Sequence, residues 1–147
     1  MKIKVAWIGK TKDPAVQALT AEYLKRLSAY TQLEPLSLGS EAALLKLAAR
    51  TGNRPASRLV LLDSHGQQFT SEEFAHFLEE QQNRSPQPLL FGVGPANGFS
   101  EEARKAAVLL LSLGKMTLPH ELAQVVLLEQ LYRAFTILKG HPYHLGH

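Results

Sequence analysis

A single α/β domain built on a mostly parallel sheet is the fold this sequence predicts, and three observations carry it. Apolar runs that suit strands alternate along the chain with amphipathic stretches that suit helices. Two of the runs, RLVLLD (58–63) and PLLFGV (88–93), are continuously apolar, as in strands covered on both faces. At 147 residues the chain is long enough for one core and short for two, so 1–147 reads as one domain.

Each element has a local cause. KIKVAWI (2–8) is the first strand. Asp13 before Pro14 supplies an N-cap and a proline at the first helical position, opening a helix from 14 to about 29. LEPLSL (33–38) is a second strand, and Pro35, lacking an N–H, sends it to a sheet edge. Ser40 caps a helix over 41–50. RLVLLD is the third strand. Thr70 with Glu73 forms a capping box, so 71–82 is helical. PLLFGV is the fourth strand. Ser100 starts a short helix with Glu101 and Glu102 at its positive end. VLLLSL (108–113) is the fifth strand. Pro119 opens a long helix to about 139, closed by Gly140 and followed by Pro142. Ligands in such sheets sit at the carboxyl ends of the strands, which points to the loops 63–69, 94–99 and 114–118.

Composition narrows the class. With 45% hydrophobic and 20% charged residues the chain is globular rather than disordered. No apolar run reaches the length of a membrane span, and the apolar core of MKIKVAWIGK is too short for a signal peptide. The absence of cysteine removes disulfides, thiolate metal sites and cysteine nucleophiles, and fits a reducing cytoplasm. Charge is unevenly placed. Residues 1–12 carry Lys2, Lys4, Lys10 and Lys12 with no acid, residues 13–102 carry seven basic and eleven acidic side chains, and residues 103–147 carry five basic and two acidic. Two basic ends brought together would suit phosphate.

The last helix is apolar on both sides. Leu122, Val125 and Val126 share one face; Leu127, Leu131, Ala134 and Leu138 share the other. One face covers the chain's own sheet, and a second copy of the chain is the simplest cover for the other. Glu129 and Arg133, four residues apart, can pair on the Leu122 face.

The motifs point to a flat ligand and to RNA. FGVGPANGFS (91–100) lies between a strand and a helix, but it lacks the spacing of a dinucleotide fingerprint, and no P-loop exists. It remains a glycine loop whose backbone can approach a ligand closely. LGKMTLPH (113–120) can offer backbone groups to a purine while Leu113, Met116 and Leu118 cover its faces. In the tail, HPYH (141–144) lacks the further ligands a zinc site needs, so no metal is expected. Tyr143 and the histidines beside Lys139 and Arg133 suit a stacked base and a held phosphate. No nucleophile elbow or catalytic triad order stands out.

LDSHGQQFTSEEFA (62–75), the glycine loop at 94–98, and MTLPHELAQVVLLEQLYRAF (116–135) with Tyr143 and His144 resemble the RlmH family of small SPOUT-superfamily methyltransferases, and the resemblance runs the length of the chain. It implies an α/β fold whose C-terminal part is tied in a trefoil knot, which ordinary topology rules would not suggest. It also implies a homodimer with each site at the subunit interface. The implied cofactor is S-adenosyl-L-methionine, held by Leu62, Gly94, Leu113, Gly114, Lys115, Met116, Thr117 and Leu118. The implied substrate is a pseudouridine of 23S ribosomal RNA, methylated at N3 in the assembled ribosome. Tyr143 and His144 would approach the base, and Arg133 would hold a phosphate or shape the site. His144, Glu129 or water would take the N3 proton. The chain departs from the family at Pro95, where a second glycine is usual, and at Gly114, where serine is common. It also departs at the ending Leu145-Gly146-His147, where a Lys or Arg usually follows the histidine. A non-catalytic RNA- or ribosome-binding module and a knotted tRNA methyltransferase are the alternatives.

Overall fold

The computed structural model describes residues 1–95 and 97–146. Five parallel strands form one sheet in the order β2-β1-β4-β3-β5. The strands are β1 (Lys2–Ile8), β2 (Gln32–Leu38), β3 (Arg58–Gln68), β4 (Leu89–Val93) and β5 (Leu109–Ser112). The helices between them are α1 (Pro14–Leu27), α2 (Glu41–Ala48), α3 (Ser71–Arg84), α4 (Glu101–Ala106) and α5 (His120–Leu138).

The caps read from the sequence form. Asp13 Oδ1 accepts from the Ala15 amide at 2.8 Å, with Pro14 at the first position of α1. Thr70 and Glu73 close a reciprocal capping box on α3. Pro35 lies on β2, an edge strand, beside Val5 of β1.

Helices cover both faces of the sheet. Ile3, Val5 and Trp7 of β1 pack with Leu27, Phe74, Leu78, Leu127 and Leu131, which come from α1, α3 and α5. Ala6 points to the other face, with Leu44 of α2, Ala103 of α4 and Leu59, Leu61 and Leu90. This alternation is what a strand buried on both sides requires.

Two expectations change. The segment 63–68, read as loop, extends β3: Leu62 and Gln67 both stand opposite Leu111, so 63–66 bulge out before pairing resumes at Gln67 and continues with Gln68 opposite Ser112. Gly66 makes this possible, because a Cβ there would lie 2.5 Å from the Leu110 carbonyl oxygen. The second change concerns α5, which packs between α1 and α3. The chain itself therefore buries Val125, Leu127, Leu128, Leu131, Ala134 and Phe135. Only Leu122 of the named face stays exposed, near the exposed Leu118 and Met116 of the preceding loop.

The basic N-terminal segment does not act as one patch. Lys2 starts β1 and Lys10 follows its end, so the strand, about 20 Å long, separates them to opposite ends of the sheet's strands. Lys2 pairs with Glu34 at 3.8 Å. Lys10 and Lys12 stand at the edge where the strands end. Their loop is held there by Glu121 of α5, which accepts from the Lys12 and Asp13 amides at 2.6 and 3.2 Å.

Candidate active site

Loops at the carboxyl ends of β3, β4 and β5 surround a cleft of about 380 Å³, a volume within the range of small-molecule sites. Leu62, Gly94, Leu113, Gly114, Met116, Thr117 and Leu118 all line it. Lys115, expected with them, is exposed and stands outside the lining. Ser112 ties the walls together. Its Oγ accepts from the Gly114 amide at 3.1 Å and lies 3.2 Å from the Ser64 carbonyl oxygen.

Each glycine has a local reason. A Cβ on Gly94 would lie 2.7 Å from two carbons of the Phe99 ring, so the close approach of backbone and ring needs glycine. Gly114 has φ +149°, a conformation that L side chains rarely adopt, so a substitution there would need another loop path. Pro95 opens a turn that the Gly98 amide closes by donating to the Pro95 carbonyl at 2.9 Å. Ala96, inside the expected glycine loop, lies outside the described residues, as does His147 of the tail.

The cleft also contains groups that sequence reasoning passed over. The Asp63 carboxylate, nearly buried, accepts from the His65 amide at 2.8 Å and pairs with Arg104 at 3.4 Å. Phe99, Val93, Leu111 and His120 complete the walls. Apolar walls, close glycine backbone and one paired carboxylate fit an adenosine-bearing ligand. The rings can lie between Leu and Phe side chains, and backbone groups of 113–118 can read the edge.

The tail forms a second cluster. Arg133 donates from Nε and Nη2 to the two carboxylate oxygens of Glu129 at 2.9 and 3.1 Å. This largely shielded bond to Glu129 raises the guanidinium pKa and keeps Arg133 charged. The guanidinium lies over the Tyr143 ring at 5.1 Å, and Tyr143 meets Tyr132 edge-on at 4.8 Å. Desolvation, with a hydrogen bond to Tyr23, pushes the Tyr143 phenol up to about 12, so it stays neutral at physiological pH.

His144 completes the cluster, and its tautomer follows from its neighbours. Arg133 Nη1 lies 3.0 Å from Nδ1. A guanidinium can only donate, so Nδ1 accepts. The proton therefore sits on Nε2, which donates to Glu72 Oε1 at 2.7 Å. Glu72, in the first turn of α3, thus meets a partner 72 residues away along the chain. His141 is drawn into the tail's own turn, its Nδ1 accepting from the Tyr143 amide at 3.2 Å. Among the described residues no group of three or more His, Asp or Glu side chains is placed to hold a metal ion.

The structure thus brings Arg133, Tyr143 and His144 together but not onto the cleft of their own chain. Ala123 of α5 lines the cleft, and Arg133 is ten residues further along that helix, about 15 Å.

The family model described as "Predicted SPOUT methyltransferase" matches residues 1–144. The chain is 59% identical over 147 residues to the ribosomal RNA large subunit methyltransferase H of Koribacter versatilis, covering 100% of both. It is 45% identical over 154 residues to the protein of that name from Gloeobacter violaceus, covering 99% of this chain and 100% of the relative. Against the one from Geobacter sp. strain M21 the identity is 40% over 157 residues, covering 98% and 99%.

Proposed function

Because the chain belongs to the RlmH family of SPOUT methyltransferases, we propose that it methylates N3 of a pseudouridine in 23S ribosomal RNA, within the assembled ribosome. The observation that carries this reading is the cleft at the carboxyl edge of the sheet, lined by nearly all the residues that the resemblance assigns to the cofactor. In this reading the protein works in the cytoplasm as a homodimer, and its C-terminal part carries the family's knot.

Leu62, Gly94, Leu113, Gly114, Met116, Thr117 and Leu118 would hold S-adenosyl-L-methionine. When bound, it supplies an electrophilic methyl group on a sulfonium. Most of the catalytic effect then comes from holding the base in line with that group.

The tail of a second copy supplies what one chain lacks. Arg133 stands about 15 Å along α5 from Ala123 of its own chain's cleft, and Tyr143 and His144 contact it there rather than lining the cleft. The exposed Met116, Leu118 and Leu122, at the loop before α5 and its first turn, give a second copy an apolar surface to cover. A partner's tail laid across that surface would bring its Tyr143 ring and Arg133 cation to the target base. Neutral Tyr143 serves as a stacking and hydrogen-bonding group, not as a base. Glu129 is held by Arg133, and both ring nitrogens of His144 are engaged. Water is therefore the first acceptor of the N3 proton, with Arg133 stabilising the negative charge left on the base. Lys10 and Lys12 at the cleft edge, with Lys139, would hold phosphates.

The test is transfer of labelled methyl from S-adenosyl-L-methionine to ribosomes lacking the modification, with tRNA and protein-free 23S ribosomal RNA alongside. Methyl on the ribosomal pseudouridine, lost when Tyr143 and His144 are deleted, supports the reading. Transfer to tRNA alone would redirect the activity. No transfer to any RNA, with no cofactor binding by calorimetry, would replace it with a binding module.

A further inference from the structure

A basic surface lies at the edge of the sheet opposite the cleft, where the strands begin. Residues 13–102 as a whole are net acidic, yet the stretch 42–62 contains no acid and carries Lys46, Arg50, Arg54 and Arg58. The fold adds Arg84 to them. Arg58 opens β3, and its guanidinium donates to Gln81 of α3 and to the Gln87 carbonyl at 2.9 Å, so it sits against the end of α3 where Arg84 stands. Arg54 donates to the Lys46 carbonyl at 3.0 Å, folding the loop 49–57 back onto the end of α2. The Ser57 amide, donating to the Ala48 carbonyl at 3.0 Å, closes that loop.

Five cations therefore share one edge, and none is neutralised. Among the described residues none of the five forms an ion pair with a carboxylate. Arg54 Nε and Arg58 Nε are buried and find no acceptor among the described residues. Burial, together with repulsion from Arg84, lowers the Arg58 pKa, the mark of a cation held beside another without a counter-ion. Lys46, Arg50 and Arg84 are exposed, and among the described residues their side chains make no hydrogen bond or ion pair. Like charges gathered without partners cost stability, and a polyanion that binds them removes that cost.

We propose that Lys46, Arg50, Arg54, Arg58 and Arg84 form a second RNA-docking surface, which holds ribosomal RNA backbone remote from the methylated base. It rests on the reading that the substrate is ribosomal RNA. The surface lies across the full height of the sheet from the cleft, so one short hairpin seated in the cleft would not reach it. Large folded RNA would engage both. Arg54 and Arg58 serve partly to build the surface, through their bonds to backbone carbonyls. Lys46, Arg50 and Arg84 are the side chains free to meet phosphate.

The variant K46Q/R50Q/R84Q tests this, since it removes only exposed cations. Its dissociation constant for unmodified ribosomes and for protein-free 23S ribosomal RNA is measured from 50 to 200 mM salt. Each phosphate contact contributes about 0.7–0.9 to the slope of log affinity against log salt, so losing three flattens it by about 2–3. Over that range the unaltered protein should lose roughly 20–40-fold more affinity than the variant. Circular dichroism and S-adenosyl-L-methionine affinity should not change, nor should methyl transfer to a short target hairpin, if one is accepted. Equal slopes for variant and parent, both folded, would overturn the proposal. A loss confined to ribosomes and absent on naked RNA would overturn it too, by assigning the surface to an acidic ribosomal protein. Failure of the unaltered protein to bind either RNA would remove the RNA reading itself.

Discussion

Replacing Gly94 by alanine puts a Cβ 2.7 Å from two carbons of the Phe99 ring, about an ångström inside normal contact. The ring cannot retreat freely, because it packs on the cluster of Ala6, Leu44, Leu61 and Leu90. It must swing into the cleft or force β4 to shift. Overpacking of this kind costs about 1–3 kcal/mol. At about 2–4 °C per kcal/mol for a chain of this size, the melting temperature should fall by about 2–12 °C. Gly92 provides the control. A Cβ there would lie 2.8 Å from methyl carbons of Leu44 and Leu61, in the core beneath the cleft but outside its lining. Both variants should therefore be destabilised to a similar degree, and only G94A should also weaken S-adenosyl-L-methionine binding, by about tenfold or more, some 1.4 kcal/mol. Calorimetric titration and thermal melting of both variants decide the matter. Equal cofactor affinity in G94A and the parent protein would refute the claim that the Gly94–Phe99 contact shapes the cofactor site.

Gly66→Ala drives a Cβ against the Leu110 carbonyl, where backbone cannot yield as a side chain can. It should cost about 3 kcal/mol or more by denaturant unfolding, at the upper end of overpacking effects. Imidazole nitrogen NMR of the folded protein at neutral pH should show His144 as the Nε2–H tautomer, with E72A relaxing that preference and E72Q retaining it. The Tyr143 phenol is raised in the folded state to about 12 from its ordinary value near 10. The unfolded chain therefore loses that proton first, so this contribution to stability is complete below about pH 10 and disappears as pH rises towards 12. The pH dependence of unfolding for the parent protein minus that of Y143F should show this loss, and a flat difference from pH 9 to 12 would contradict it. For the same reason the methyl-transfer rate should show no step from Tyr143 between pH 6 and 9.

Local chemistry made most of the fold legible. Asp13-Pro14, Ser40, Thr70 with Glu73 and Ser100 each announce a helix start, because their capping bonds reach only two or three residues along the chain. Continuous apolar runs announced strands buried on both faces. The extension of β3 through Gln68 could not be read, because it depends on Ser112 of another strand and on Gly66 finding space against Leu110. How the chain itself covers α5 could not be read either, because helical periodicity counts apolar faces but does not say that α1 and α3 flank the helix. Within the site, the three loops followed from the parallel sheet, and their individual residues from the resemblance. The pairings Asp63–Arg104 and His144–Glu72 join positions far apart in sequence and left no periodic trace. The basic surface on Lys46, Arg50, Arg54, Arg58 and Arg84 was hidden by averaging charge over a long acidic segment.

The central claim is a methyltransferase site assembled from the cleft of one chain and the tail of another. Complementation tests it most directly. G94A, with a damaged cleft and intact tail, is mixed with a chain lacking residues 143–147, with an intact cleft and no tail. With S-adenosyl-L-methionine held near the parent protein's dissociation constant, each alone should be strongly impaired on unmodified ribosomes. After exchange of subunits, half of the dimers are mixed, and each of these regains one whole site, so activity should return to about a quarter of the parent's. Mixtures that stay as inactive as their components, although the subunits have exchanged, would contradict the account.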